Sequence, residues 1–281
     1  MNKVIFQILA KSYGLYINFI ALFSPKIAAE KAFTLYCSPR KGRVIDIQAY
    51  FLNKAKDQVI NIGGLDIQVY RWNGSGETVL LMHGWESNSF RWRYLIQYLQ
   101  KENYNIIALD APAHGNSSNK SWNVPLYAEC AFRVCELYKP EYLIGHSLGG
   151  MAALFMQYTY PKNSIAKIIT IGAPSEFTQL MNHFKSLLGL SSRVMNALNE
   201  YFIFHFGMAI SDFSTAIFAR EIKVRGLLFH DTQDPITPYI SSEKVHANWK
   251  DSTLVSTKGF GHSMQQAEVN LKIIDFLKST K

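Results

Sequence analysis

Tyr142-Leu143-Ile144-Gly145-His146-Ser147-Leu148-Gly149-Gly150 is the stretch whose reading decides the fold. A short apolar run ends in a serine bracketed by glycines, and a helix-forming run from Met151 to Tyr158 follows at once. This is the Gly-x-Ser-x-Gly pattern of a sharp strand-to-helix turn that lifts the serine hydroxyl above a sheet edge. Side chains at 145 and 149 would collide as strand and helix fold back on each other, so both positions call for glycine. The Leu148 amide then opens the helix and points at the reacting oxygen. Five residues of this kind also arise by chance in loops. Their weight here comes from the strand before them and the helix after them.

Working outward, the rhythm around this turn alternates. Apolar strands are expected at Thr78–Met82, Tyr104–Leu109, Tyr142–Gly145, Ile165–Ile171, Val224–Phe229 and Thr253–Ser256. Helical patterns separate them at Phe90–Gln100, Leu126–Tyr138, Leu148–Tyr158 and Ile240–Trp249, and Met264–Leu277 closes the chain. Continuous apolar strands alternating with helices mean a parallel sheet covered on both faces. Upstream, β segments are expected at Val44–Phe51 and Val59–Ile62. The latter is joined by Gly63-Gly64 to Leu65–Trp72, a hairpin signal that makes the sheet mixed. Between Ile171 and Val224 the alternation stops. Residues 175–220 are helical and rich in aromatics, which reads as a helical cap inserted after the sixth strand, with extra core packing as the plainer reading. The resulting division is an N-terminal helical extension at 1–43, an α/β core at 44–174 and 221–281, and a cap at 175–220.

Residues 4–23 carry apolar side chains at Val4, Ile5, Ile8, Leu9, Leu15, Tyr16, Phe19, Ile20 and Phe23, a helical stripe interrupted by Gln7, Lys11, Ser12 and Asn18. A lysine near the centre of a spanning helix costs about 2.5–3.5 kcal/mol on insertion scales. It also breaks the run that a signal peptide needs. The expectation is an amphipathic helix, packed on the domain or lying on a membrane surface, with a membrane anchor or signal as the alternative. Pro25 ends it, and Lys26–Tyr36 reads as a second short helix.

Bulk properties narrow the rest. At 281 residues, 48% hydrophobic and 18% charged, the chain has an ordinary globular composition. The net charge of +8 is spread along the sequence, apart from Arg40-Lys41-Gly42-Arg43, and no nucleic-acid motif accompanies it. Cys37, Cys130 and Cys135 show no metal-ligand spacing and read as reduced, buried thiols of a cytoplasmic protein.

A serine hydroxyl is a poor nucleophile near neutral pH. It needs a base within hydrogen-bond reach, and the base needs an orienting acid. His262, in Gly259-Phe260-Gly261-His262-Ser263, lies between the last strand and the last helix, where a loop can carry it over the sheet edge. The acid is expected between serine and histidine. His230-Asp231-Thr232-Gln233-Asp234-Pro235 offers two, and Asp234 is preferred because it lies farther past the strand end in a loop held by Pro235 and Pro238. Asp231 competes, and Glu176 is an outside candidate. Two backbone donors must face the developing charge, each worth about 2.7–4 kcal/mol. Leu148 supplies one. The loop His83-Gly84-Trp85-Glu86 supplies the other through the Trp85 amide, with Gly84 allowing close approach and His83 bracing the loop. Gly84, Trp85, Phe90, Phe177 and Met181 are the expected substrate-pocket residues, with Trp92 beside them.

These pieces together resemble the α/β-hydrolase superfamily. The matching residues are His83-Gly84-Trp85, Asp110-Ala111-Pro112-Ala113-His114-Gly115-Asn116-Ser117, Gly145 to Gly150, Asp234-Pro235-Ile236-Thr237-Pro238 and Gly261-His262, spread over about residues 60–280 in the family's order. The resemblance implies Ser147 as nucleophile, His262 as base, Asp234 as acid and the amides of Leu148 and Trp85 as oxyanion hole, with a mainly structural Asp110–Ser117 loop. It implies acyl transfer through Ser147 with no metal or cofactor, and the apolar cap and tryptophans point to a carboxylic ester with a hydrophobic acyl or alcohol part. Hydrolysis of a thioester, amide or carbon–carbon bond, or a non-catalytic membrane-associated relative, are the alternatives. The expected partner is a small-molecule ester and not nucleic acid, with peripheral membrane contact through residues 4–23.

Overall fold

The apolar strands that flank the serine have no polar face to leave in water, so they lie in the middle of the sheet. In the computed structural model, which describes residues 3–279, the strands are β1 (Lys56–Ile62), β2 (Leu65–Trp72), β3 (Thr78–Met82), β4 (Asn105–Leu109), β5 (Tyr142–His146), β6 (Lys167–Ile171), β7 (Arg225–Asp231) and β8 (Ser252–Thr257). They form one sheet in the order β1-β2-β4-β3-β5-β6-β7-β8. β3 to β8 run parallel, and β1 and β2 are antiparallel to their neighbours. The β1–β2 turn is Gly63-Gly64, both with positive φ (59° and 85°), which pairs Ile62 with Leu65.

The helices are α1 (Lys3–Phe23), α2 (Pro25–Cys37), α3 (Asp46–Leu52), α4 (Arg93–Lys101), α5 (Val124–Tyr138), α6 (Leu148–Thr159), α7 (Phe177–Leu188), α8 (Ser192–Phe206), α9 (Thr215–Phe218), α10 (Ile240–Asn248) and α11 (Ala267–Lys278). α4 and α11 share a core with one sheet face: Leu95, Ile96 and Leu99 with Ile273 and Leu277 meet Val79, Leu81, Ile106, Ile144, Ile169 and Phe229. α5 and α6 pack on each other, and α6 lies against β5 and β6.

The chain divides into two compact units: Pro39–Ser175 with Thr215–Lys281, and residues up to Ser38 with Glu176–Ser214. The first is the α/β unit. Its Val44–Phe51 segment, expected as a strand, is instead helical as α3. The apolar alternation there is outweighed by a local cap. Gln48 Oε1 accepts from the Ile45 amide at 3.3 Å, and Asp46 sits in the first turn where the helix dipole favours an acid.

The second unit joins segments read from sequence as separate parts, an extension and a cap, into one four-helix assembly of α1, α2, α7 and α8. The reason is aromatic and small-residue complementarity. Phe33 sits against Tyr201, Phe202 and Phe206, with ring centroids 4.9, 5.6 and 5.8 Å away. Tyr36 lies edge-on to Phe177 and Phe184. α1 buries only the narrow stripe Ala10, Gly14, Ile17 and Ala21, so the apolar stripe noticed in the sequence is mostly its exposed side. Two of the polar interruptions of α1 bond to the rest of its unit: Lys11 Nζ donates to the Ser186 carbonyl at 2.7 Å. Asn18 bridges the α7–α8 turn, donating to the Gly189 carbonyl (2.9 Å) and accepting from the Ser191 amide (2.8 Å).

A Cβ at Gly14 would lie 1.8 Å from the Leu188 carbonyl oxygen, so α1 and α7 meet backbone to backbone there. Gly14→Ala is expected to cost the helical unit on the order of 1–3 kcal/mol through overpacking. The measurement is urea unfolding with limited proteolysis of the α1–α2 segment, and an unchanged midpoint would refute the close approach.

Candidate active site

All the parallel strands end at one edge, and the loops that follow β3, β5, β7 and β8 carry Trp85, Ser147, Asp234 and His262 in turn. Ser147 follows β5 directly. Its backbone sits at φ 53° and ψ −125°, a region that non-glycine residues rarely occupy. The strain is held by two fixings: the Ser147 amide donates to the Ile171 carbonyl at 2.8 Å, and the Ser147 carbonyl accepts from Gly150 and Met151 of α6. A Cβ at Gly145 would meet Gly150 Cα at 2.6 Å, and one at Gly149 would meet the Met82 carbonyl oxygen at 2.3 Å. The elbow is closed on both sides by backbone.

The acid–base pair leaves β7 and β8. His262 Nδ1–H donates to Asp234 Oδ2 at 2.7 Å, leaving Nε2 as the proton-accepting nitrogen; the Asp234 side chain is fully buried. Asp234 Oδ1 accepts from the amides of Ile236 (2.8 Å) and Thr237 (3.0 Å), and His230 Nε2 lies 3.5 Å from Oδ2. Burial alone would raise this carboxyl. The hydrogen bonds from His230, His262, Thr237 and Ile236 outweigh it and hold the group well below the usual carboxylate range. Asp231 takes a different part. It accepts from Thr257 Oγ1 and from the amides of Gln233, Gly259 and Phe260, organising the loop that carries His262 without touching the imidazole. Glu176 occupies the N-cap position of α7 in the helical unit, without a side-chain capping bond.

The elbow and the histidine loop are tied through His146. Its Nε2–H donates to the His262 carbonyl at 3.0 Å, and the two rings are 4.8 Å apart. Burial first, then Arg91 and His262, hold the His146 ring neutral. Gly172, just past β6 with φ +58°, leaves room for the pair: a Cβ there would lie 3.3 Å from His262 Nδ1 and 3.4 Å from Asp234 Oδ2. Among the described hydrogen bonds none joins Ser147 Oγ to His262. Such contacts are often long before substrate closes them.

The loop after β3 brings Gly84 onto the elbow, where a Cβ would stand 2.9 Å from Ser147 Cβ. Among the described hydrogen bonds the amides of Trp85 and Leu148 have no acceptor. His83 braces this loop, donating through Nδ1 to the Gly84 carbonyl (2.7 Å) and accepting at Nε2 from the Ala111 amide (3.0 Å). The neighbouring His114 accepts from the Glu86 amide and donates to the Pro112 carbonyl. Asp110 is buried and receives Ser89, Asn116 and Tyr70, which makes its loop structural.

Of the expected pocket residues, Trp85 packs on His114 and Trp122. Phe90 packs on Phe51 and the Arg93 guanidinium. Phe177 and Met181 are buried in the helical unit, where Phe177 meets Phe202 and Phe213. Sequence reasoning missed His146, His230 and Arg91, whose Nη2 donates to the Ser263 carbonyl at 2.8 Å. Only His146 carried a signal, its place beside the serine.

His83 and His114 lie 5.5 Å apart, and burial holds each down to about 4. In an unfolded chain they titrate near 6.5. As pH falls from about 6.5 to 4, the unfolded state therefore takes up protons that the native state refuses, and stability drops, by up to ~3 kcal/mol per ring. The urea midpoint is expected to fall between pH 7 and pH 5, and less steeply in His114→Gln. A flat wild-type profile would refute it.

The sequence pattern of the alpha/beta hydrolase fold family matches residues 77–221, and that of a family described as TAP-like protein matches residues 215–281. With the sheet order and the elbow, this settles the class: the chain belongs to the α/β-hydrolase superfamily. No curated protein matches it by sequence. Similar solved structures include an esterase from Exiguobacterium antarcticum, 21% identical, with TM-score 0.62 over 79% of this chain and 98% of that one. A bromoperoxidase from Bacillus anthracis is 18% identical, with TM-score 0.62 over 80% and 100%. The thioesterase domain from the curacin biosynthetic pathway is 17% identical, with TM-score 0.59 over 80% and 99%. At these identities the likeness is one of fold, and the reaction has to be argued from the site. Among the described residues no cluster of three histidine, cysteine, aspartate or glutamate side chains is placed to hold a metal ion.

Proposed function

We propose that this protein is a serine hydrolase that cleaves a carboxylic ester with a hydrophobic acyl or alcohol part through an acyl-enzyme. The observation that carries the reading is the buried Asp234 bonded at 2.7 Å to His262 Nδ1, on the same sheet edge as a serine held at φ 53°. With Nδ1 committed to Asp234, His262 Nε2 accepts the Ser147 proton as Oγ attacks the ester carbonyl carbon. The carbonyl oxygen takes the negative charge and is met by the amides of Trp85 and Leu148. Collapse expels the alkoxide, which receives the proton from His262. Water, deprotonated by the same nitrogen, then releases the acid and restores Ser147.

Asp234 keeps the imidazole in the correct tautomer and stabilises its protonated form. Its position well below the usual carboxylate range keeps it ionised throughout. The test is turnover of p-nitrophenyl esters of graded acyl length, with fluorophosphonate labelling mapped to Ser147. Equal turnover by wild type and Ser147→Ala would overturn the reading. Labelled Ser147 with preferred turnover of thioesters would keep the nucleophile and replace the ester.

A further inference from the structure

α1 presents an apolar face that nothing in its own unit covers. Ten of its large apolar side chains are exposed, from Tyr16 at 48% to Phe23 at 77%, with Ile8, Leu15, Phe19 and Leu22 among them. At about 100° per residue these ten fall on an arc of roughly 180° opposite the buried stripe of Ala10, Gly14, Ile17 and Ala21. Ser12 is the one polar residue on that arc. Gln7, Lys11 and Asn18 fall at the border of the buried stripe, where Lys11 and Asn18 are spent on the end of α7 and the α7–α8 turn. The helix has therefore gathered its interruptions on the protein side and left a continuous apolar strip about 30 Å long on the other. Strips of this size mark a surface with a partner.

Charge names the partner. The first acid of the chain is Glu30, whereas Lys3, Lys11, Lys26 and Lys31 lie within the first 31 residues. Lys31 Nζ stands 5.6 Å from the ring centroid of Tyr16, on the apolar arc. A second copy of this chain would bring another +8 to the contact, whereas anionic headgroups are attracted by it. The bonds from Lys11 and Asn18 fasten α1 lengthwise to α7 and α8, so the helix meets a bilayer sideways. We propose that the exposed face of α1 docks the protein on the surface of an anionic phospholipid bilayer, the helix lying flat with its apolar arc in the acyl boundary.

The experiment uses the full chain with vesicles of phosphatidylcholine alone and of phosphatidylcholine with phosphatidylglycerol. Wild type is expected to co-sediment with the anionic vesicles and more weakly with the neutral ones. The variant Ile8→Gln/Leu15→Gln/Phe19→Gln, altered only at exposed positions, should lose at least about tenfold in partitioning. Lys26→Gln/Lys31→Gln should lose on the order of tenfold on anionic vesicles alone. Phe19→Trp, a near-native chain, should shift its emission to the blue on vesicles and be quenched by brominated acyl chains, which keeps the test sound should the triple variant misfold.

Absence of vesicle binding by wild type, or equal binding by the triple variant in its folded form, would overturn the proposal. So would a dimer in light scattering that the triple variant dissociates, which would assign the face to a second copy. Retention in vesicles after alkaline carbonate, the mark of a spanning helix, would overturn it as well. The proposal is independent of the chemistry at Ser147 and survives or falls without it.

Discussion

Ser147→Ala is expected to lower kcat on p-nitrophenyl esters by about 10⁴-fold or more, with KM little changed. Removing one member of a working triad costs nearly as much as removing all of it, on the order of 10⁶ in a well-studied protease. The residue left after such a loss comes from amides that still hold the oxyanion. Here the amides of Trp85 and Leu148 would persist, because the loop is braced by His83 and His114 and the elbow by Gly145 and Gly149. Alanine takes φ 53° at a cost similar to serine's, so the fold should survive, and circular dichroism with an unchanged urea midpoint would show it. Residual activity at wild-type level would mean that Ser147 is not the nucleophile.

The second large effect separates two aspartates three residues apart. Asp234→Asn should reduce kcat by about 10⁴-fold, because an amide at this position favours the wrong imidazole tautomer, and it should also lower stability because the buried carboxylate's bonds from His262, Ile236 and Thr237 are weakened. The loss should lie in kcat rather than KM. Asp231→Asn should act mainly on the fold. Its carboxylate gathers Gln233, Thr257, Gly259 and Phe260, and an amide cannot accept from all of them. The expected result is a lower urea midpoint, on the order of 1–3 kcal/mol, with a smaller fall in kcat. The two variants exchanging these signatures would reverse the assignment of the acid.

Much of this was legible in the chain. Gly145 to Gly150 fixed a strand and a helix on either side. The alternation around it placed six parallel strands, and His262 had no rival beyond residue 246. Asp234 is preferred over Asp231 in the sequence for lying farther past the strand end, in a loop held by Pro235 and Pro238. In the structure both collect backbone amides, and the difference is that Asp234 Oδ2 alone of the two meets His262 Nδ1, a long-range contact that carries no local signature. The Val44–Phe51 segment misled for a different reason: its alternation is real, and a single side-chain cap from Gln48 turned it helical.

Lys11 and Asn18 looked like flaws in an apolar helix. They are contacts to carbonyls and amides 171 to 175 residues away, and no spacing rule reaches that far. His230, behind Asp234, was invisible because a buried histidine after a strand resembles any core residue.

That separation also sets a schedule for synthesis. Lys11 of α1 is synthesised 175 residues before its partner carbonyl at Ser186. At about 5–20 residues per second, roughly 9–35 s separate the two, during which the stripe of Ala10, Gly14, Ile17 and Ala21 has no α7 to pack on. The helical unit therefore cannot close until α7 and α8 have been made, so its assembly is a long-range step in the order of synthesis.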